Sequence, residues 1–216
     1  MKFYWIKTPS IIKRLFYNQV WDIPNSENKI YLTFDDGPIP EVTNWVLEIL
    51  KEHNIKVTFF CVGENIKNNP TIFEKILFDG HAVGNHTFNH LNGWKNPTQD
   101  YLENIKKCNE QLFSFKSKFL NLNSNIFRPP YGKIKKAQSR KLRQLGFKII
   151  MWDLLSADFD ATITPEKCLE NVVNNVKSGS IIVFHDHLKA FKNLEYTLPR
   201  AIEILKKRGF VFDVLS

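Results

Sequence analysis

The chain has 216 residues, of which 43% are hydrophobic and 24% charged, enough for one domain with a substantial core. Its net charge of +8 and pI of about 9.3 permit anionic partners without requiring any. Cys61, Cys108 and Cys168 are odd in number and form no C-x-x-C pair, which argues against a disulfide framework or zinc ribbon and for reduced, packed thiols. No apolar run approaches the ~20 residues of a membrane span.

The first segment, "MKFYWIKTPSIIKRLFYNQVW", carries lysines but no clean apolar core and no small-residue cleavage site, so no signal peptide is read in it. A chain with no leader is expected to be cytoplasmic or peripheral, but the sequence leaves the compartment open. Residues 1–28 are expected to form a lead-in packed on a single domain, 29–216; contact with a membrane surface is the alternative. A rhythm follows in which an amphipathic helix ends in one glycine and a short apolar strand begins: "ILFDG-HAVGN", "LRQLG-FKIIMW", "NVKSG-SIIVFHD" and "LKKRG-FVFDVL". In "LKEHN-IKVTFFCVG" Asn54 takes the glycine place. Glycine, then asparagine, suits a helix C-terminus whose next residue turns left-handed.

Helices are predicted over 41–51, 98–118 and 164–178, the last with Thr164 as N-cap and Pro165 at the first turn. Strands are predicted near 30–34, 57–62, 82–84, 126–128, 147–152, 181–184 and 210–214. They are continuous apolar runs, as expected when both sheet faces are covered. The alternation implies a mostly parallel sheet. About seven strands favour a single-domain α/β fold of distorted (β/α) barrel type, with an open sheet as the alternative.

Working residues in such folds gather at the C-terminal ends of strands. The polar oddities do so here. Asp35 and Asp36 end the first strand in "YLTFDDGP". His86 and His90 stand four apart in "HTFNH", a spacing that on a helical turn lets two imidazoles grip one metal. The alternative is a pair of surface or capping histidines. One aspartate can complete a two-His, one-Asp site while the other stays free as a base. Arg128, in "FRPPYG", is the candidate counter-charge to the two acids, and the loop of Pro129, Pro130 and Gly132 can offer a backbone N–H to an oxyanion. His185 ends "SIIVFH", poised for proton transfer, and Asp158 is the candidate to orient it. Trp21, Trp94 and Trp152 are candidates for sugar stacking. Trp94 is the best placed of them, while core packing suits Trp152 and Trp21. In "KIKKAQSRKLRQLG", Leu142, Leu145 and Ile134 are expected to turn inward beneath a solvated basic face.

With "TFDDGP", "H-T-x-x-H", "RPPYG" and "FHD" in this order, the chain resembles the polysaccharide deacetylases of the NodB-homology type, carbohydrate esterase family 4, from about Lys29 to Ser216. The resemblance implies a distorted (β/α) barrel and a metal-dependent hydrolase that removes N-acetyl groups from a polysaccharide or oligosaccharide containing N-acetylglucosamine. It implies Asp35 as general base, Asp36, His86 and His90 as metal ligands, and Arg128 as the residue that orients the base. It likewise implies the Tyr131 N–H as oxyanion donor and His185 as general acid. Zinc is the expected metal, with cobalt possible.

Two departures stand out. Leu155 and Phe159 occupy places where the family often has Asp and Trp, and Val183 replaces a leucine. The histidine-tuning role therefore falls on Asp158, with Asp153 as the other option, and Phe159 with Val183 is expected to line a pocket for the acetyl methyl. The expected partner is an acetylated glycan, with no nucleic acid, and the chain is expected to be a monomer. An O-acetyl esterase of xylan type and a catalytically dead carbohydrate-binding domain are the alternatives on the same scaffold.

Overall fold

A computed structural model describes residues 4–119 and 125–215. The first three residues of the lead-in and Ser216 lie outside the described residues. The chain runs α1 (Ser10–Leu15), β1 (Lys29–Asp35), α2 (Val42–Glu52), β2 (Thr58–Cys61), α3 (Gly63–Asn68) and α4 (Pro70–Phe78). It continues through β3 (Ala82–Asn85), α5 (Thr98–Phe113), β4 (Ile126–Phe127), α6 (Lys136–Gln144), β5 (Lys148–Ile149) and β6 (Leu154–Leu155). It ends with α7 (Pro165–Val173), β7 (Ile181–His185), α8 (Leu188–Lys207) and β8 (Val211–Phe212).

Seven strands form one parallel sheet in the order β5-β4-β3-β2-β1-β7-β6, and β8 pairs with the first residues of β1. The sheet curls into a half-barrel with its helices outside, the distorted (β/α) barrel expected. Its membership differs from the expectation. Leu154–Leu155, outside the predicted strands, is a strand, while the 210–214 segment lies off the main path.

Side chains of β1 alternate between two environments, as strand geometry requires. Ile30, Leu32 and Phe34 join the core under the helices, where Phe34 stacks on Phe59 and Phe184 at centroid distances of 5.2 and 6.0 Å. Tyr31 joins a second cluster with Phe60, Ile126 and Ile181. Thr33 and Asp35 share Tyr31's face of the strand. The register sets Asp35 beside Phe60 on one side and His185 on the other, so the alternation aims the last acid of β1 into the barrel.

The helix-to-strand junctions behave as the sequence suggests. Gly80, Gly146, Gly179 and Gly209 have φ of 77°, 87°, 87° and 80°, and Asn54 has φ of 48°. Thr164 caps α7, its Oγ1 accepting from Lys167 N at 3.2 Å. Helices α5 and α7 stop about five residues short of the expected ends. Leu142 is buried, but Leu145, the residue that ends α6 as its C-cap, is exposed. All three cysteines are buried and free.

β5 and β6, the two ends of the sheet, share no bridge among the described residues. The lead-in lies across this opening. Val20 bridges Ile150, and Lys7 bridges Leu154. Met151 N donates to Val20 O at 2.7 Å, and Thr8 N donates to Asp153 O at 2.9 Å. These bonds satisfy edge groups that would otherwise lack partners. Asp153, wholly buried, anchors the arrangement. It accepts from Lys7 Nζ and Ser180 Oγ, both at 2.6 Å, and from Lys13 Nζ, which also reaches Asp22. Burial opposes ionisation of Asp153, but the two lysines and Ser180 outweigh it and hold its carboxyl below the usual range. Removing it strands two partly buried ammonium groups. Asp153→Ala is expected to lower stability by about 3 kcal/mol, read from the midpoint of urea unfolding.

Candidate active site at the mouth of the barrel

The β1 strand ends in a tight turn. Asp36 adopts φ of 88°, and Gly37 follows in a place where no side chain fits. A Cβ there would lie 1.9 Å from Asp186 Oδ2. Asp186 holds the turn: Gly37 N donates to Oδ1 at 3.0 Å, and Thr43 Oγ1 donates to Oδ2 at 2.6 Å. Asn65 Nδ2 donates to Asp36 O at 2.7 Å, and Asn69 Nδ2 donates to Pro38 O at 3.1 Å. The two adjacent acids are thereby sent different ways.

Asp35 meets Arg128, which follows β4. Nη1 of Arg128 donates to Asp35 Oδ1 and to Thr33 Oγ1, each at 2.7 Å, and Nη2 donates to Met151 O at 3.0 Å. The Arg128 guanidinium carbon stands 4.1 Å from the centre of the Phe60 ring. The other oxygen of Asp35, Oδ2, lies 3.9 Å from His86 Nε2.

Asp36 meets the two histidines. Its Oδ1 is 3.1 Å from His90 Nε2 and 3.6 Å from His86 Nε2, and ligand atoms of the three residues all lie within 4.8 Å of one another. Three observations fit this cluster to a divalent cation. Asp36 Oδ1 is buried and has no hydrogen-bond partner of acceptable geometry. His86 Nδ1 faces Arg128 O at 2.8 Å; a carbonyl only accepts, so Nδ1 carries the proton and Nε2 offers its lone pair inward. Burial drives the His86 pKa down to about 4, which keeps the ring neutral and able to ligate. Burial acts against ionisation of Asp36, but His90, His185 and His86 outweigh it and hold its carboxyl well below the usual carboxylate range.

The two histidines are not on a helical turn. His86 directly follows β3, and residues 86–91 form a loop in which Thr87 and His90 have φ of 63° and 53°. Asparagine side chains take the place of helical bonds. Asn85 Oδ1 accepts from Thr87 N at 2.8 Å, and Asn104 Oδ1 accepts from Phe88 N and Asn89 N at 2.8 and 3.0 Å. The i,i+4 spacing still brings the rings together, with centroids 5.1 Å apart, by a different route.

On the other side of Asp35 stands His185. Asp158 Oδ1 lies 2.8 Å from His185 Nδ1, and Oδ2 accepts from His185 N at 2.7 Å. Burial alone would lower the His185 pKa, but the Asp158 charge and hydrogen bond, with help from Asp36 and Asp35, raise it to about 9. Asp153, the other option for this contact, is engaged at the lead-in. The Phe159 ring meets His185 edge-on at 5.1 Å. Val183 is buried one layer below, paired with Thr33 and Leu155. Pro129 and Pro130 are buried and set up the turn in which Tyr131 has φ of 60°, its ring 4.7 Å from that of His90. Trp94 is exposed on the loop beyond His90 and turns to the neighbouring loop, Nε1 donating to Ile134 O at 3.2 Å with Lys133 Nζ 5.2 Å from the ring. Trp21 and Trp152 pack in the core. The sequence reading did not weigh Thr33, Thr43, Asn65, Asn104 and Met151 O, and gave Asp186 no role. A glycine directly after two acids was the one signal that something must approach that backbone.

A cation cluster at the strand ends of a curled barrel, with a free carboxylate oxygen and an aspartate-held histidine beside it, is the arrangement of a metal-assisted hydrolase. The profile of the family described as polysaccharide deacetylase matches residues 22–150, and the chain belongs to that family. A peptidoglycan-N-acetylglucosamine deacetylase of Bacillus cereus is 34% identical over 197 residues, 91% of this chain and 90% of the relative. A chitooligosaccharide deacetylase of Azorhizobium caulinodans is 34% identical over 167 residues, 76% of each protein. The solved structure of the Bc1960 peptidoglycan N-acetylglucosamine deacetylase superposes with a TM-score of 0.86 at 32% identity, over 96% of this chain and 95% of that one. Deacetylases of this family are metalloenzymes, in keeping with the Asp36, His86 and His90 cluster. No helix among the described residues is long and apolar enough to cross a membrane.

Gly37→Ala forces either Asp186 or the Asp36 turn to move. Divalent-cation affinity is expected to fall on the order of 10–100-fold, read by calorimetric titration. An acid with the His185 pKa stays charged until about pH 9 and is lost above it, so the alkaline limb of the rate profile is expected near that pH. In Asp158→Asn the raising charge is gone and the limb should move to lower pH.

Proposed function

We propose that this protein hydrolyses the acetamide of N-acetylglucosamine units in a peptidoglycan or chitin-like glycan, giving acetate and a free amine. It is an enzyme of the polysaccharide deacetylase family acting on a carbon–nitrogen bond. What carries this reading is the convergence of Asp36, His86 and His90 between an acid with one oxygen unbonded to Arg128 and a histidine held by Asp158.

Asp36, His86 and His90 would hold the cation, for which zinc is the proposed identity and cobalt the substitute. When bound, it supplies Lewis-acid polarisation of the acetamide carbonyl and a lowered pKa for a water. Asp35 takes a proton from the attacking water. Its Oδ1 is tied to Arg128, so Oδ2, on the His86 side, is the oxygen available. The Tyr131 N–H, in a turn whose ring packs on His90, donates to the developing oxyanion. His185 binds Asp158 through Nδ1, which leaves Nε2 to give a proton to the leaving amine. Phe159 and Val183 flank the acetyl methyl, Pro129 and Pro130 fix the oxyanion turn, and Trp94 offers an exposed ring to a sugar further along the chain. The acting unit in this reading is a monomer.

Acetate release from chitooligosaccharides and peptidoglycan, with acetylated xylan as the contrast, tests the substrate assignment. Asp35→Asn is expected to lower kcat roughly 10²–10⁴-fold while cation binding by calorimetry is retained. His86→Ala is expected to lose both. Full activity in Asp35→Asn would sink the base assignment.

A further inference from the structure

The lead-in does more than lie across the opening between β5 and β6. Its Tyr4 reaches the loop that follows β6. Tyr4 Oη donates to Asp160 Oδ2 at 2.6 Å, and the Tyr4 ring meets Phe159 edge-on, with centroids 5.4 Å apart and planes at 65°. Phe159 in turn meets His185 edge-on at 5.1 Å and 76°. Two ring contacts thus link the lead-in, through Phe159, to the proposed proton donor. His185 is fixed by Asp158, and Tyr4 by Asp160.

Phe159 needs such a support. It is only partly buried, and the loop carrying it begins at Ala157 with φ of 63°. The inner end of that loop is tied down, since Asn193 Nδ2 donates to Asp158 O at 3.0 Å. The Phe159 ring itself packs on Tyr4. A tyrosine in this place contributes edge-to-face packing, and the hydroxyl bond to Asp160 sets where the ring stands. Lys7 and Thr8, a few residues on, are bonded to Asp153 and Trp152, so the segment presenting Tyr4 is itself anchored.

We infer that Tyr4 is a positioning residue that fixes Phe159 as the wall of the acyl pocket, and so restricts the enzyme to acetyl among N-acyl groups. This rests on the deacetylase reading and on Phe159 lining the pocket. The contacts of Tyr4 are with Phe159 and Asp160, so it acts through Phe159. A mobile Phe159 ring would leave room for further methylenes, and each methylene a pocket admits or rejects changes discrimination by roughly 10–200-fold.

The test compares N-acetyl with N-propionyl and N-butyryl chitooligosaccharides, reading kcat and KM for each. The wild type is expected to favour acetyl. Tyr4→Ala is expected to raise the propionyl-to-acetyl ratio of kcat/KM about tenfold, with KM for the longer acyl groups falling and cation affinity unchanged. Tyr4→Phe, which keeps the ring, should retain most of the preference. Tyr4→Leu, which keeps an apolar side chain on Phe159, should fall between them, and it carries the comparison if Tyr4→Ala is poorly soluble. Phe159→Ala should relax the preference by itself, and adding Tyr4→Ala to it should add nothing. An unchanged acyl ratio in Tyr4→Ala and Tyr4→Leu, or additive effects in the double variant, overturns the inference while the deacetylase reading stands. A wild type that releases no acetate from any N-acetyl glycan, with the cation bound, overturns that reading and this inference with it.

Discussion

The site depends on a cation the protein supplies itself: the guanidinium of Arg128, the largest of the wholly buried side chains. Taking such a charge out of water costs several kcal/mol, and the cost is offset only because acceptors come to it from three directions. Asp35 and Thr33 come from one face of β1, the Met151 carbonyl from beyond β5, and the Phe60 ring lies flat beneath. A planar fork can serve these acceptors at once, whereas an ammonium group cannot match their spread. The same bond decides which oxygen of Asp35 is spoken for. With Oδ1 held, the orientation of Oδ2 toward His86 is set by the barrel interior and not by the mobility of the side chain.

Three carboxyls crowd the turn that follows β1, and each has a different partner. Asp35 has Arg128. Asp36 has the two imidazoles and an unsatisfied oxygen that a divalent cation would take up. Asp186 has neutral donors alone, Gly37 N and Thr43 Oγ1, and burial pushes its pKa up to about 8. At neutral pH it is therefore mostly uncharged, which spares Asp36 a second negative charge beside it. Asp186 works as a hydrogen-bonding scaffold for the turn, and Asp36 is left as the charged acid facing the histidines.

The legible part of the molecule is the part written in local chemistry. Helix ends with a glycine before a strand, the Thr164–Pro165 start of α7, and acids or imidazoles where apolar runs stop all follow from short stretches read alone. The strand-end rule then gathers Asp35, Asp36, His86, Arg128, His185 and Asp158 to one face from sequence alone. What was missed depends on distant partners. Leu154–Leu155 is too short to announce a strand, and becomes one by pairing with Ile182 and Val183. The His86–His90 segment was read as a helical turn because spacing was the only cue. Its true shape comes from Asn104, fourteen residues beyond His90, and from the side chain of Asn85. Asp153 looked like a candidate for His185, because sequence distance cannot tell that Lys7 and Lys13 reach it first.

The same physics explains how the chain accommodates its departures from the family pattern around His185. A two-residue strand gives little leverage, so β6 is followed at once by a loop held by side chains. Asn171 Nδ2 donates to Ser156 O at 3.1 Å, and Ser156 Oγ accepts from Asp158 N at 3.2 Å. Ala157 turns left-handed between them. That turn sets the Asp158 carboxylate against β7, where one oxygen takes the His185 backbone N–H and the other faces its Nδ1. Binding the ring and its own backbone with one carboxylate leaves the imidazole a single orientation, whatever residue occupies 155. Leu155 is then free to be an apolar strand residue beside Val183. The Phe159 ring packs on both Tyr4 and His185. The carboxylate that orients the histidine and the ring that packs on it are thus fixed by separate elements, which is why one position could change without disturbing the other.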